Sequence, residues 1–197
     1  MRALSDQHPV VHGSLARGDV QSTSDIDIVI DRQVPSYAIE LALGEYSFAT
    51  REIVQATPWH LIKGHIYLQD DLSVTFPLVK PTPIEEQFYK FGGSLDLESL
   101  VAEKRVPGID KRLMLIEPTE EGHVETGVVG MEPRAAKLIG VGLATVKERI
   151  DVLTRRDSIG RTGVYLTRVL SPGESFEDVL RNIASRDTNV KRRFRSV

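Results

Sequence analysis

Residues 12–31 read HGSLARGDVQSTSDIDIVID, and two features of this stretch decide how the chain is interpreted. Gly13 and Ser14 follow a short apolar run, which predicts a buried strand that ends in a tight turn. After a spacer of ten residues, Asp25 and Asp27 stand one residue apart within a β-branched run. Residues i and i+2 of a strand lie on the same face, so the two carboxylates are expected to point together.

The paired carboxylates predict a cation site. Their neighbours Ile26, Ile28 and Ile30 are expected to enter a core on the opposite face of the strand. Like charges side by side on a strand are unfavourable unless a cation lies between them. Carboxylate oxygens are hard ligands that suit Mg²⁺ or Mn²⁺, and two such ions about 3.5–4 Å apart support in-line displacement at phosphorus.

The order of these features resembles the signature of the DNA polymerase β-like nucleotidyltransferase superfamily. The segment GSLARGD at 13–19 is most similar to the small, minimal-type prokaryotic members, and the whole chain resembles a prokaryotic group of predicted nucleotidyltransferases. The resemblance implies that Gly13 and Ser14 hold a nucleoside triphosphate and that Asp25 and Asp27 bind two divalent metals. It also implies a third carboxylate on a neighbouring strand.

Glu52 is the first candidate for that third carboxylate. It lies in the next predicted strand after an intervening helix, where the family more often has Asp. There it would bind the catalytic metal and accept the proton of the attacking hydroxyl. Asp70 and Asp71, at the tip of a predicted hairpin, are the alternative, because residues 72–76 (LSVTF) contain no acid. If Glu52 faces away from the aspartates, the site is degenerate.

The phosphate contacts are expected at the turn and the helix that follows it. The absence of a side chain at Gly13 lets backbone N–H groups approach a phosphate, and Ser14 can donate through its amide and its hydroxyl. Arg17 is placed to reach the β- and γ-phosphates as a bidentate donor. The structural alternatives are an N-cap role for Ser14 and a pairing of Arg17 with Asp19 or Asp31.

Composition excludes several other kinds of chemistry. The share of hydrophobic residues is 41% and that of charged residues 27%, which is ordinary for a soluble globular protein. The chain contains no cysteine, so disulfides, thiolate nucleophiles and cysteine-ligated metal sites are absent. The sequence has neither a signal peptide nor a membrane span, and we expect a cytoplasmic protein without a membrane partner.

Charge is distributed unevenly along the chain. Residues 1–133 carry 11 Lys+Arg and 21 Asp+Glu, whereas residues 134–197 carry 14 and 7. This asymmetry predicts an RNA or DNA acceptor bound by the basic region. The alternative is a solvated helical face followed by a frayed tail from Arg186. Because minimal-type relatives act beside a second chain, a protein partner is also expected. The arginines of the basic region that are expected to contact nucleic acid are Arg155, Arg156, Arg192 and Arg193.

Periodicity predicts an α/β (α+β) fold. A β–α–β unit and a hairpin form a mixed sheet with helices on one face, and a smaller basic α+β region follows. The predicted divisions are a nucleotidyltransferase core at 1–80, a connecting segment at 81–133 and a basic C-terminal region at 134–197. Apolar residues spaced three and four apart predict one helix over 134–155. His60 and His65, together with Trp59, are interpreted as packing residues, because their spacing matches no metal-ligand pattern.

The sequence as a whole predicts a divalent-metal-dependent nucleotidyltransferase. It would transfer a nucleoside monophosphate from a triphosphate such as ATP to an acceptor hydroxyl and release pyrophosphate. Most of the rate enhancement would come from positioning and charge neutralisation. The alternative is a non-catalytic module that keeps the fold and binds a nucleotide, a nucleic acid or a partner.

Overall fold

A computed structural model describes residues 1–68, 71–160 and 163–195 of the chain. The strands are β1 (Val10–His12), β2 (Ile26–Val29), β3 (Phe48–Gln55), β4 (Ile62–Leu68), β5 (Leu72–Pro77), β6 (Ser94–Asp96), β7 (Gly108–Ile109), β8 (Met114–Pro118), β9 (His123–Gly127) and β10 (Leu166–Val169). The helices are a 3-10 helix at Arg2–Gln7, α1 (Ser14–Arg17), α2 (Ser36–Ala42), α3 (Pro83–Phe91), α4 (Leu97–Val101), α5 (Glu132–Ile139), α6 (Leu143–Ile159), α7 (Phe176–Arg186) and α8 (Thr188–Arg195).

The chain divides into two compact units built from non-contiguous segments. Unit 1 contains Met1–Pro9, Asp27–Thr82 and Gly163–Val197, and unit 2 contains Val10–Ile26 and Pro83–Thr162. The division into 1–80, 81–133 and 134–197 stays a prediction, because compact packing units need not coincide with functional segments. No helix within the described ranges has the length and apolar character that crossing a membrane requires.

Unit 1 is built on a sheet whose strands follow the order β10-β3-β4-β5-β2. The pairs β10–β3, β3–β4 and β4–β5 are antiparallel. One face of the sheet is apolar, since Ile53, Ile66 and Phe76 of three adjacent strands are fully buried. Gly64 is needed on this face, because a Cβ there would lie 2.5 Å from Cζ of Phe76. Alternation therefore sends Glu52, His65 and Thr75 to the opposite face, while Arg51 and Gln55 of β3 share the face of Ile53.

Helices α2, α7 and α8 cover the apolar face. Their contributions to its core include Ile39, Phe176 and Val190, each with an exposed fraction of 0%. The rings of Phe76 and Phe176 meet edge to face with centroids 5.1 Å apart. Helix α7 begins after Ser175, whose hydroxyl accepts from the Asp178 amide at 3.1 Å. These contacts confirm the α+β class with helices on one face of the sheet.

Unit 2 combines a pair of strands, a three-stranded sheet and helices. Strand β1 pairs antiparallel with β6, and β7, β8 and β9 form a second sheet in that order. A separate core joins Phe91, Leu115, Ala136, Val146 and Leu153 from α3, β8, α5 and α6.

The single helix predicted over 134–155 is wrong, because the chain forms α5 and α6 with a break between them. Gly140 ends α5 in a left-handed conformation with φ 68°, and Gly142 caps the start of α6. Apolar residues continue the helical spacing through the break, so periodicity alone does not reveal it. The expectation of a frayed tail is also wrong, since Val190 is fully buried and residues 188–195 form α8.

Candidate active site

The Gly13-Ser14 turn lies in unit 2 between β1 and α1. Gly13 has φ 82° and ψ −139°, which favours glycine, although a Cβ there would meet no atom within 4 Å. Its amide donates to the Gly93 carbonyl at 3.0 Å. The Gly13 amide is therefore used by the fold, and the first amide that α1 can offer to an anion is that of Ser14.

Arg17, at the end of α1, has an exposed fraction of only 6%. One terminal nitrogen donates to the Gly92 carbonyl at 2.6 Å, and the other forms an ion pair with Asp19 at 2.9 Å. The pairing with Asp19 matches the structural alternative, and it occupies both terminal nitrogens. The phosphate contact of Arg17 stays a prediction, and it requires one of these bonds to be exchanged.

Asp25 lies in unit 2, immediately before β2, and its side chain is exposed. The strand begins one residue later than predicted, at Ile26. Ile28 and Ile30 enter the core of unit 1 as expected. Ile26 does not, because 40% of its surface is exposed. The prediction is therefore correct for Ile28 and Ile30 and wrong for Ile26, and Val29 between them is buried as well.

Asp27, in unit 1, is half-buried and held by a neighbouring strand. The hydroxyl of Ser73 on β5 donates to Oδ1 of Asp27 at 2.7 Å. Ser73 is itself buried, with an exposed fraction of 8%. A hydrogen bond of this kind fixes the rotamer of a carboxylate and leaves its other oxygen available for a further contact.

Two rows of opposed residues extend from Asp27 across the polar face of the unit 1 sheet. Thr50, Tyr67 and Ser73 are opposed on β3, β4 and β5, and Glu52, His65 and Thr75 form the next row. Opposed residues of antiparallel strands project from the same face. Glu52 therefore shares this face with Asp27. The polar strip, as we name it, consists of Asp27, Ser73, Thr75, His65, Tyr67 and Glu52.

Tyr67 is bonded to one carboxylate of the polar strip, Glu52, and is affected by the charge of the other, Asp27. Its hydroxyl donates to Oε1 of Glu52 at 2.9 Å. Partial burial, the hydrogen bond and charge of Glu52, and the charge of Asp27 together raise the pKa of Tyr67 to about 12. The phenol is therefore protonated at neutral pH and acts as a donor.

His65 contributes no positive charge to the polar strip at neutral pH. Burial, assisted by the charge of Lys63, lowers the pKa of His65 to about 4. Its Nδ1 lies 2.9 Å from the Thr75 hydroxyl, and its ring stacks on that of Tyr67 with centroids 6.0 Å apart. The carboxylates of the strip are therefore not neutralised by this imidazole.

Glu52 shares a face with Asp27, but two strands separate them. The order β3-β4-β5-β2 puts three strand spacings between them, or about 14 Å. Two side chains cannot close that distance around one ion at about 2.1 Å from each oxygen. The strand beside β2 offers hydroxyls, Ser73 and Thr75, where a third carboxylate would complete a cluster. Within the described part of the chain, no group of three or more His, Cys, Asp or Glu could hold a metal ion.

The alternative acids are at the hairpin between β4 and β5. Asp70 lies outside the described residues. Asp71 is exposed at the turn, with φ 56°. This left-handed φ is one that Asp tolerates, so the turn itself explains an Asp at position 71.

The arginines of the basic region fall in different compact units. Arg155 and Arg156 lie on α6 of unit 2, and both are exposed. Arg192 and Arg193 lie on α8 of unit 1. Trp59, interpreted from sequence as packing, is 66% exposed beside Arg192. The packing interpretation is therefore wrong for Trp59, and no local sequence signal joins residue 59 to residue 192.

Comparison with known proteins gives one match. Residues 2–90 match the family model described as a nucleotidyltransferase domain. The match covers β1, the Gly-Ser turn, both aspartates, Glu52 and the hairpin, and it ends within α3. No curated protein and no solved structure shows significant similarity to the chain.

Proposed function

We propose, from the premise that residues 2–90 match the model of a nucleotidyltransferase domain, that the protein transfers a nucleoside monophosphate from a triphosphate to an acceptor hydroxyl. The observation that carries the proposal is the half-buried Asp27 carboxylate, oriented by Ser73 at 2.7 Å within the Asp25-Ile26-Asp27 motif. A carboxylate whose rotamer is held by a hydrogen bond is prepared to bind a cation.

The Gly-Ser turn would hold the phosphates. Ser14 opens α1, so its amide and hydroxyl can both donate to a phosphate oxygen. Gly13 contributes the backbone conformation of the turn, because its own amide is bonded to Gly93. Arg17 would brace the turn through the Gly92 carbonyl and reach a phosphate after releasing Asp19.

The carboxylates fit a Mg²⁺ or Mn²⁺ ion that arrives with the triphosphate. Mg²⁺ is commonly bound through one or two carboxylates together with substrate phosphates, and Asp25 and Asp27 supply that number of ligands. Glu52 does not fit a second shared ion, because it lies about 14 Å away across the sheet. When bound, the ion would neutralise charge on the phosphates.

The residues of the chain would then act by positioning. Ser73 holds Asp27, and Ser14 holds the phosphates, so that an acceptor hydroxyl can attack the α-phosphorus. The new bond joins the acceptor oxygen to phosphorus, and the bond to the β-phosphate breaks to release pyrophosphate. Alignment and charge neutralisation supply most of the rate in such reactions. We propose RNA or DNA as the acceptor, on the basis of the basic C-terminal region.

One observation favours a second candidate function. Strand β5 carries Ser73 and Thr75 beside β2 and has no acid, so the polar strip offers no third carboxylate to complete a metal pair. A protein with this arrangement can bind a nucleotide with one ion and release it unchanged. The second candidate is therefore a nucleotide- or nucleic-acid-binding module, acting beside a partner chain.

Two measurements on the same protein separate the candidates. The first is incubation with each triphosphate labelled at the α-phosphate, with Mg²⁺ or Mn²⁺ and pooled RNA, DNA or protein as acceptor. The second is the melting temperature with and without triphosphate and metal. A ligand at 100 times its Kd stabilises the folded state by about 2.7 kcal/mol.

Each result selects one conclusion. Transfer of label with release of pyrophosphate supports the transferase. A rise in melting temperature without transfer to any acceptor supports the binding module. Neither transfer nor a rise at millimolar triphosphate contradicts both functions.

A further inference from the structure

A cavity in unit 1, outside the polar strip, combines an exposed indole with clustered positive charge. We name it the Trp59 pocket, and its volume is about 430 Å³. Three of its seven lining side chains are cationic, and none is acidic. A pocket of this size accommodates a small ligand, and its charge selects an anion. The lining residues are Pro58, Trp59, Lys80, Pro81, Thr82, Arg192 and Arg193.

Trp59 is held by the backbone around it and not by burial of its own ring. It is the only tryptophan of the chain, and it lies on the connection between β3 and β4. The fully buried Gln55 donates from Nε2 to the carbonyls of Pro58 at 3.2 Å and His60 at 3.0 Å. These bonds fix the chain on both sides of an indole that remains 66% exposed. A rigidly presented, exposed indole is typical of a binding surface.

Helix α8 brings the positive charge to this ring. The guanidinium carbon of Arg192 lies 5.2 Å from the centroid of the Trp59 ring. Arg193 is buried and donates to the Lys80 carbonyl at 2.9 Å, which joins α8 to the segment after β5. Val190 anchors the helix in the core. The helix is thus fixed against unit 1, and Arg192 is presented from a rigid element.

The start of α8 is also capped. Oδ1 of Asp187 accepts from the amides of Asn189 at 2.8 Å and Val190 at 3.1 Å. Its other oxygen accepts from the Tyr165 hydroxyl at 2.6 Å. The helix itself, with sequence TNVKRRFR, contains four cationic residues and no acid. The helix therefore adds only positive charge to this side of unit 1.

We propose that the Trp59 pocket binds single-stranded nucleic acid. A base stacks on the open face of Trp59, and Arg192 and Lys80 contact the adjoining phosphates. A single strand is required because bases in a duplex are stacked on one another and do not present a free face. This inference rests on the nucleic-acid partner of the proposed function and deepens it, because it names the binding site and the single-stranded form of the partner, and the binding itself needs neither a triphosphate nor turnover.

The fluorescence of the single tryptophan reports directly on this site. The wild-type protein is titrated with a mixed-sequence single-stranded oligonucleotide of about twelve nucleotides, as RNA and as DNA, at low and high salt. We expect saturable quenching of Trp59 and an affinity that falls steeply with salt. Duplex DNA of the same sequence and a free nucleoside monophosphate are expected to bind more weakly.

Variants are compared by fluorescence anisotropy of a labelled oligonucleotide. Arg192→Gln is expected to weaken binding by about five-fold or more and to reduce the slope of log K against log salt by about one. Arg195→Gln removes the same charge from the same helix but lies outside the pocket, and it is expected to change affinity by less than about two-fold. Trp59→Ala is expected to weaken binding by about five-fold or more, and Trp59→Phe, which keeps a stacking ring, by less.

Four outcomes would overturn the proposal. They are no quenching at low salt, equal effects of the Arg192 and Arg195 variants, equal affinity for a free nucleotide, and equal affinity for duplex. The melting temperature of the Trp59→Ala variant shows whether it folds. Quenching of the wild-type protein tests the proposal independently of this variant. An Asp27→Asn variant that retains oligonucleotide binding separates this inference from the proposed function.

Discussion

The polar strip and the Trp59 pocket belong to the same compact unit and have opposite chemistry. The strip carries the carboxylates Asp27 and Glu52, together with a His65 that is neutral at pH 7. The pocket carries an exposed indole among cationic side chains. One region is suited to a cation and the other to an anion with an aromatic ring. The difference teaches that the two chemistries lie on separate elements of unit 1, the carboxylates on β2 and β3 and the indole and cations on the β3–β4 connection, the segment after β5 and α8, so each can be tested without the other.

The largest expected effect comes from Asp27→Asn, which tests whether the two regions work independently. The variant keeps an oxygen for the Ser73 hydroxyl but removes the charge. We expect nucleotidyl transfer to fall about 1,000-fold, equivalent to about 4 kcal/mol of transition-state stabilisation. Oligonucleotide binding by Trp59 quenching should stay unchanged. The control is Asp31→Asn, an exposed acid that follows β2. Equal losses in both variants would mean that general charge, and not Asp27, matters.

The second effect concerns the charge state of the polar strip. Because the pKa of His65 is about 4 in the folded protein and 6.5 in a model peptide, the unfolded chain binds a proton first as pH falls. The stability that neutral His65 contributes is therefore present above pH 6.5 and lost between pH 6.5 and about 4. We expect the free energy of unfolding to drop by about 2.5 kcal/mol more in wild type than in His65→Gln between pH 7.5 and 4.5.

Urea unfolding at several pH values measures this difference. Any cost of the lost His65 contacts appears equally at pH 7.5 and at pH 4.5, so the change with pH isolates the titration. Parallel curves for the two proteins would mean that His65 is solvated, and that the strip can acquire a positive charge of its own near neutral pH.

Much of unit 1 could be predicted from sequence because its signals are local. Alternation in β2, β4 and β5 and the turn residues between β4 and β5 predict strands directly. The same logic failed where two patterns compete. Gly140 and Gly142 interrupt a helix whose apolar spacing continues on both sides. Fraying was predicted for α8 because the segment contains four cationic residues. Val190, the apolar residue that anchors the helix in the core, gives too weak a pattern on its own to indicate a buried helix.

The candidate site, like the fold, could be predicted from sequence only in part. Asp25 and Asp27 are recognisable because the motif is continuous in sequence. The position of Glu52 relative to them could not be predicted, because periodicity gives the face of a strand but not the order of strands. Two strands lie between β3, which carries Glu52, and β2. The Trp59 pocket draws on three distant segments, 58–59, 80–82 and 192–193, and no sequence spacing connects them.

Ser73→Asp sharpens the comparison by adding a carboxylate beside Asp27. Ser73 is buried and within hydrogen-bond distance of Asp27, so the new charge is expected to lower the free energy of unfolding by about 1–2 kcal/mol in the absence of divalent ions. Millimolar Mn²⁺ should restore the loss, because a cation between carboxylates relieves their repulsion. The measurement is the melting temperature with and without Mn²⁺. Ser73→Asn is the uncharged control, and a loss in Ser73→Asp that Mn²⁺ does not restore would mean that no ion binds at Asp27.

The smallest expected effect is that of Glu52→Gln. A general base of the reaction would contribute about 100- to 10,000-fold, whereas a residue whose backbone lies three strand spacings, about 14 Å, from that of Asp27 should change transfer by less than about three-fold. The variant must instead alter Tyr67, because the hydrogen bond and charge of Glu52 help to raise its pKa to about 12. Ultraviolet titration of the phenol should show that pKa falling towards its ordinary value. A loss of transfer of about 100-fold would make Glu52 the base and would mean that the polar strip acts as one site. An altered Tyr67 with intact transfer would make Glu52 a structural partner of the strip, and it would leave Asp25 and Asp27 as the acids on which the transferase proposal depends.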